Sequence, residues 1–249
     1  MRNSTLILSI YALIFISCQP SDPAQTIIDK SIAYHGGEAY DKVNLEFDFR
    51  NMHYIVQKNG GDFHYERIQI DSTGIEIRDV LTNATFHRTV GGQTQTLADS
   101  MSEKYRNSLN SVVYFVLLPQ PLSDPAVQKE YMGEVTIKGK SYDKIKVSFA
   151  QEGGGKDHED VYAYYFDKED ASMDYFAYLY YVNETGMRFR EAYNPQRVGG
   201  ILVQDYINLA PSDSNLAVTP ENLLSLDSLY GQGRLKEFSR IENKGFKVH

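Results

Sequence analysis

The sequence predicts a mainly β protein of the α+β class: a curved antiparallel half-barrel of about 11–12 strands, with helices packed as a lid on its concave face. Three observations lead there. Turn residues recur at short intervals between runs of strand formers, as an antiparallel meander requires. The strict alternation of strand and helix that marks a parallel sheet is absent. The aromatic content is 19 Tyr and 12 Phe with no Trp, a composition suited to pleated surfaces.

The 249 residues carry 25 Lys+Arg against 33 Asp+Glu, a net charge of −8. That balance excludes nucleic acid as the main partner, because neutralising phosphates takes a basic footprint. A single cysteine excludes a disulfide framework and any multi-cysteine metal centre. No motif calls for a cofactor, and nothing in the pattern fixes an oligomeric state.

The first eighteen residues differ in character from the rest. Arg2 is their only charge, and Leu6–Ile16 is an apolar run dominated by Leu and Ile. Spanning a bilayer takes about 20 such residues, so the run matches a secretory h-region rather than a membrane helix. It ends at Ser17-Cys18, where Cys18 is the sole cysteine. This resembles a bacterial lipoprotein signal, in which a small residue precedes the cysteine that becomes the diacylated N-terminus. Phe15 stands three residues before Cys18, where that signal usually has Leu. An ordinary signal peptide ending near a cysteine is the alternative. The expected organisation is a signal peptide over 1–17, a lipidated N-terminus and linker over 18–21, and a single β-rich domain over 22–249. Acyl chains on Cys18, each buried CH₂ contributing about 0.8 kcal/mol, would tether the domain to a membrane of the cell envelope without spanning it. The outer membrane is the expected location, with the domain facing the periplasm or the surface.

Asp22-Pro23 reads as an N-cap followed by proline at the first helical position, with Ile27, Ile28 and Ile32 as the apolar stripe and Gly36-Gly37 as the stop. From Val43 the pattern becomes strand-like, with Leu45, Phe47 and Phe49 alternating. Turns follow at Asn59-Gly60-Gly61, Asp71–Gly74, Thr82-Asn83 and Gly91-Gly92. A helix is expected from Ser100, whose spacing to Glu103 forms a capping box, with Met101, Tyr105, Leu109, Val112 and Val113 on one face. Asp124-Pro125 is expected to start a short helix closed by Gly133. Strands then resume at 134–139, 142–150, 160–167, 172–182, 187–194 and 200–208. Thr219-Pro220 opens a last helix, and a strand near 235–242 ends the pattern.

The hairpin Met173–Asn194 is the most informative stretch. A turn at Asn183–Gly186 would oppose Val182 with Met187. One face would then hold Phe176, Tyr178, Tyr180, Val182, Met187, Phe189 and Tyr193, interrupted by Glu191. The other would hold Tyr175, Ala177, Leu179, Tyr181, Arg188, Arg190, Ala192 and Asn194. A sheet with one wet face alternates cleanly between apolar and polar, and this one does not. Something must cover the second face, or it encloses a cavity. A concave apolar site predicts Phe176, Tyr178, Tyr180, Phe189, Glu191 and Tyr193 as ligand-contacting residues, with Met101–Leu117 as the lid. Plain core packing predicts the same aromatics. Burial would favour the neutral form of Glu191, suiting it to ligand contact or proton transfer; an ion pair with a nearby Lys or Arg is the alternative.

The loop Gln151–Asp160 contains Gly153-Gly154-Gly155-Lys156, which lacks phosphate-loop spacing. Its Asp157, His158, Glu159 and Asp160 are weak metal candidates, and a solvated hairpin loop explains them as well. Ser141-x-x-Lys144 would put its two side chains on opposite faces of a strand, which does not suit a nucleophile and base. No other catalytic or metal spacing stands out.

His35-Gly36-Gly37, Phe47–Arg50, Asn110–Phe115 with Leu118-Pro119, Asp124–Val127, Gly154–Asp157, Arg188–Asn194 and Asp205–Asn208 form a set of segments spread over most of the chain. Together they resemble an uncharacterised family of predicted lipoproteins from Gram-negative bacteria. More loosely, the layout is similar to the outer-membrane lipoprotein carrier and receptor (Lol-type) fold. That resemblance implies a half-open barrel whose concave side binds acyl chains under a helical lid. The expected function is therefore a membrane-anchored lipoprotein that binds a hydrophobic or amphipathic ligand. The alternatives are an envelope hydrolase using the Asp157–Asp160 loop, and a purely structural or protein-interaction lipoprotein.

Overall fold

A computed structural model describes residues 22–150, 160–181 and 185–249. The expected signal peptide with Cys18, the loop residues Asp157, His158 and Glu159, and the turn residues Val182, Asn183 and Glu184 lie outside them.

The chain opens with helix α1 (Pro23–His35), whose N-cap Asp22 accepts the Ala24 N–H at 3.0 Å. A first sheet follows, built from β1 (Lys42–Phe49), β2 (Met52–Asn59), β3 (Asp62–Ile70), β4 (Glu76–Thr82), β5 (Phe86–Val90) and β6 (Gln93–Thr94). Helix α2 (Asp99–Val116) leads to a second meander of β7 (Val127–Ile137), β8 (Lys140–Phe149), β9 (Val161–Asp167), β10 (Met173–Tyr180), β11 (Gly186–Val198) and β12 (Ile201–Pro211). Short helices α3 (Pro220–Leu224) and α4 (Leu226–Gly231) precede β13 (Leu235–Ile241) and β14 (Asn243–Val248). The strands form two antiparallel seven-stranded sheets, ordered β14-β1-β2-β3-β4-β5-β6 and β13-β12-β11-β10-β9-β8-β7. The fold is thus the mainly β half-barrel expected, not closed into a barrel, with fourteen strands among the described residues.

The predicted turns fall where the glycines and Asx residues put them. Asp71 Oδ1 accepts both the Thr73 and Ile75 N–H groups, at 2.8 and 3.0 Å, and so folds the β3–β4 turn. Two local expectations are corrected. Helix α2 starts at Asp99 with Ala98 as its N-cap and no side-chain cap, so the Ser100–Glu103 box does not form. The segment after Asp124-Pro125 is strand β7, not a helix. Gly133 (φ +94°) serves a bulge, marked by the register shift between Tyr131 and Glu134, instead of closing a helix.

Two hydrophobic clusters occupy the interior between the sheets. On the first sheet, Val43, Leu45, Phe47, Val56 and Leu81 pack against Leu109, Val113 and Val116 of α2. On the inner face of the second sheet, Ile145, Val147, Tyr164, Phe166 and Phe176 pack against Ala24 and Ile28 of α1 and Leu118 and Leu122 beyond α2. The second sheet is equally apolar on its outer face. There Tyr165, Tyr175, Ala177, Leu179 and Phe189 lie beneath Leu223 and Leu226 of α3 and α4. Buried Lys144 anchors this outer cover, pairing with Asp227 at 3.0 Å and donating to the Leu224 carbonyl, which also gives Lys144 a structural use.

Side-chain hydrogen bonds fasten the remaining joints. The sheets are linked by the short step from β13 to β14. Asp205 holds that corner, accepting the Asn243 N–H at 2.9 Å and the Asn194 side-chain amide at 2.7 Å. In the first sheet, Asp79 is 1% exposed and receives Arg67 Nε and Nη2 at 2.9 and 2.6 Å and Arg88 Nε and Nη2 at 2.6 and 2.8 Å. Arg67 reaches on to Ser108 Oγ at 2.8 Å, and the Arg88 guanidinium lies 3.3 Å from the Tyr105 ring centre. One buried carboxylate therefore ties β3, β4 and β5 to α2.

The His35-Gly36-Gly37 motif has a packing explanation. A side chain on Gly36 would sit 3.0 Å from Ile201 and Tyr40 carbons, and Gly37 adopts φ +54°. Arg197 caps the end of α1 by donating to the Tyr34 and His35 carbonyls at 2.7 and 3.1 Å. His35 is fully buried, and its Nε2 accepts the Met173 N–H at 3.0 Å, which requires the neutral ring. Burial, helped by the nearby Arg197 charge, lowers its pKa from 6.5 to about 4.

Two outcomes follow. Asp79→Asn leaves two buried guanidinium groups facing one neutral acceptor. It is expected to cost about 3 kcal/mol, read as a lower urea midpoint with an unchanged slope. The fold binds neutral His35, so its stabilisation is complete above pH 6.5 and drains away as pH falls from 6.5 to about 4. The total is about 3 kcal/mol. His35→Gln keeps an acceptor for Met173 but does not titrate, so its stability profile should be flatter over that window. Parallel profiles would remove His35 as the titrating group.

Candidate functional site

The β10–β11 pairing revises the sequence reading of this hairpin. The observed ladder opposes Phe176 with Arg190, Ala177 with Phe189, Tyr178 with Arg188, and Tyr180 with Gly186. The assumed four-residue turn was too short, and the resulting register differs by an odd number of residues. An odd shift exchanges the faces of one strand relative to the other. Phe176, Tyr178 and Tyr180 therefore share the inner face with Arg188 and Arg190. Phe189 and Glu191 belong to the outer face beneath α4, where Phe189 stacks 5.0 Å from Tyr230. Tyr193 sits near the β13–β14 corner, donating to Glu242 at 3.1 Å. The six predicted residues are thus not one surface, and Phe176 and Phe189 are fully buried.

Glu191 resolves as the ion pair that was its alternative reading. One oxygen receives Lys138 Nζ at 2.5 Å and the other the Tyr230 hydroxyl. Burial and this carboxylate together raise the Tyr230 pKa.

The opening in the fold lies elsewhere, between the free ends of the two sheets. A cleft of about 690 Å³ is walled on one side by Lys58, Phe63 and Tyr65 of the first sheet and on the other by Val127, Phe149 and Tyr162 of the second. Helix α2 roofs it with Asn107, Asn110, Ser111, Tyr114 and Phe115, and Gln120, Pro121 and Ser123–Ala126 form the back. The volume lies in the ordinary range for small-molecule sites. Asn83 braces the rim, accepting the Phe63 N–H and donating to the Gly61 carbonyl, both at 2.8 Å. Among the described lining residues Lys58 is the cation. Its ammonium donates to Gln120 at 3.1 Å, and desolvation lowers its pKa.

An aromatic strip runs from the cleft along the inner face of the second sheet. Ring centres step from Phe149 to Tyr162 (5.8 Å), to Tyr178 (6.0 Å) and to Tyr180 (5.8 Å). Arg188 then bridges Tyr180 and exposed Phe238, 5.4 and 4.2 Å from their ring centres. Two predicted residues, Tyr178 and Tyr180, are therefore on the half-buried continuation of the cleft floor. Phe115, which lines the cleft, stacks on Phe176 at 5.6 Å, so the predicted lid helix does meet the predicted aromatic face.

Of the polar loop, Asp160 is described and is buried at the start of β9. Among the described residues no three His, Cys, Asp or Glu side chains are placed to hold a metal ion. No described helix is long and apolar enough to cross a membrane.

Likeness to known proteins agrees with this architecture. The pattern of a family described as "Family of unknown function (DUF6503)" matches residues 4–243. Among solved structures, the LolA superfamily protein NE2245 from Nitrosomonas europaea superposes with a TM-score of 0.50 at 10% identity, covering 91% of this chain and 93% of that one. A DUF1329 family protein from Desulfovibrio piger gives a TM-score of 0.49 at 8% identity, covering 92% and 94%. No curated protein sequence matches the chain. At such identity the likeness to NE2245 shows the fold alone.

Proposed function

The chain belongs to the DUF6503 family of unknown function, and we propose that it is a membrane-anchored envelope protein holding a hydrophobic or amphipathic ligand in the cleft between its sheets. The observation that carries this reading is the cleft itself. Phe63, Tyr65, Phe115, Phe149 and Tyr162 surround a space of about 690 Å³ that the described residues leave unfilled. Elsewhere the same aromatic types interlock as core, so an opening lined by them favours an apolar guest over water. The Lol-type layout, in which the concave side takes acyl chains, supports an acyl chain as the guest. Tyr178 and Tyr180 extend the floor and would lie along a chain longer than the cleft. The asparagines of α2 and Lys58 at the rim suit the polar end of an amphiphile.

Anchoring rests on the N-terminal pattern. In this reading Cys18 is acylated after cleavage of residues 1–17, placing the cleft close to a membrane that can supply or receive its ligand.

Each half of the proposal has its own test. Native mass spectrometry of gently purified protein should show a lipid-sized adduct that disappears on denaturation. Ala126 lines the cleft and is half-buried, so Ala126→Trp should fill the space without opening the core. Its affinity for a neutral naphthylamine probe should fall by about tenfold or more, with the melting temperature held within a few degrees. Unchanged uptake would place the ligand outside the cleft. For the anchor, Cys18→Ser should abolish incorporation of radiolabelled palmitate and release the protein from the membrane fraction. Labelling that persists in that variant would refute acylation at Cys18.

A further inference from the structure

Arg188 and Arg190 leave β11 on the same inner face, two residues and about 7 Å apart along the strand. Both guanidinium groups lie against aromatic rings. Arg190 stands 4.4 Å from the ring centre of Phe115, 4.9 Å from Tyr178 and 5.1 Å from Phe176, while Arg188 lies over Tyr180 and Phe238. Neither has a carboxylate within ion-pairing distance among the described residues; Arg190 donates to the Tyr178 hydroxyl at 3.1 Å and Arg188 to the Met187 carbonyl at 2.9 Å. Of the other arginines, Arg67, Arg78, Arg88 and Arg240 pair with carboxylates, and Arg197 is held by the Tyr34 and His35 carbonyls; what marks Arg188 and Arg190 is two unpaired guanidinium groups side by side on one aromatic face among the described residues.

Arg190 is also 7% exposed, and its buried Nε has no hydrogen-bond partner. Rings stabilise the charge of a guanidinium but leave most of its five N–H donors unused. A buried cation without a compensating anion is costly, and an incoming group with two or three acceptor oxygens would complete the arrangement.

The surroundings restrict what such an anion is attached to. Arg190 backs onto Phe115 and Tyr178 contacts Tyr162, and both Phe115 and Tyr162 line the cleft. An acidic group held by the arginines therefore has apolar surface leading away from it into the cleft. We propose that Arg188 and Arg190 form a headgroup site for an anionic amphiphile, a carboxylate or phosphate monoester on a long alkyl chain. This assignment rests on the reading of the cleft as an apolar-ligand site. Among the described residues that line the cleft, Lys58 is the competing cation.

Calorimetry with hexadecanoate, hexadecyl phosphate, hexadecanol and inorganic phosphate separates the possibilities. The two anionic amphiphiles should bind the wild-type protein at least about tenfold more tightly than the alcohol of equal chain length. Arg188 is half-exposed, so Arg188→Gln tests the site without a buried change. It should remove most of the acid preference while leaving hexadecanol affinity within about twofold. Arg190→Met should act in the same direction. Equal binding of acid and alcohol overturns the headgroup site and leaves the cleft reading intact. Inorganic phosphate binding as tightly as hexadecyl phosphate overturns it in favour of a free-ion site. An acid preference that survives both arginine variants and vanishes in Lys58→Met moves the headgroup to the other rim and overturns the assignment. Binding of none of the chain-bearing ligands refutes the cleft reading and the headgroup site with it.

Discussion

The second sheet carries large aromatic side chains on both faces, and a sheet of that kind has to be covered twice. That demand organises the rest of the chain. The outer face takes the C-terminal segment α3–α4, fixed by the buried Lys144–Asp227 pair. The inner face takes α1, the end of α2 and, beyond them, the first sheet. Among the described residues, coverage of the inner face is incomplete at one set of strand ends of the two sheets, and the cleft is what remains. The candidate site is thus a by-product of how far the helices reach across an apolar surface.

The parts of this architecture that depend on neighbouring residues were legible in the sequence. Asx and glycine turns, the Asp22-Pro23 and Thr219-Pro220 helix starts, and the two-sided apolarity of the β10–β11 hairpin all carry local signatures. Register does not. Alternation along β10 and along β11 was read correctly, yet pairing them needs the length of the loop between Tyr180 and Gly186, and an odd error in that length exchanges inner and outer residues. Gly133 is a similar case, since a glycine with positive φ serves a bulge as readily as a helix end.

The cleft was less accessible for a different reason. Its walls come from residues near 58–65, 83, 107–127, 149 and 162, which no single periodic segment displays together. Sequence reasoning found the aromatic floor through Tyr178 and Tyr180 but not Tyr162, Phe149 or Phe115, because β8 and β9 carry no signal beyond their alternation and the lid helix α2 shows no sign of which of its residues faces the cleft. Glu191 drew attention as an acid in an apolar run, and Lys138 and Tyr230, 53 and 39 residues away, account for it. Arg188 and Arg190 carried no signal at all: an arginine in a strand is legible, and whether a carboxylate among the described residues meets it is not.

Helix α2 belongs to both halves of the molecule at once. Its Tyr105, Ser108 and Leu109 are bound to the first sheet, the first two through Arg88 and Arg67, whereas Phe115 one to two turns later lies on Phe176 and Arg190 of the second. Such a helix answers to two sets of packing partners within eighteen residues. Substitutions at 105 and 108 have to be matched by changes at 88 and 67, while position 115 answers to 176 and 190. As the family diverges, the face that carries Tyr105, Ser108, Leu109, Val113 and Val116 should drift in step with the first sheet and Phe115 with the second. The boundary between those two histories runs lengthwise, between the Leu109, Val113 and Val116 face and Phe115, and Asn110 and Ser111 over the cleft belong to neither, so their side chains can turn over and leave both halves of the frame intact.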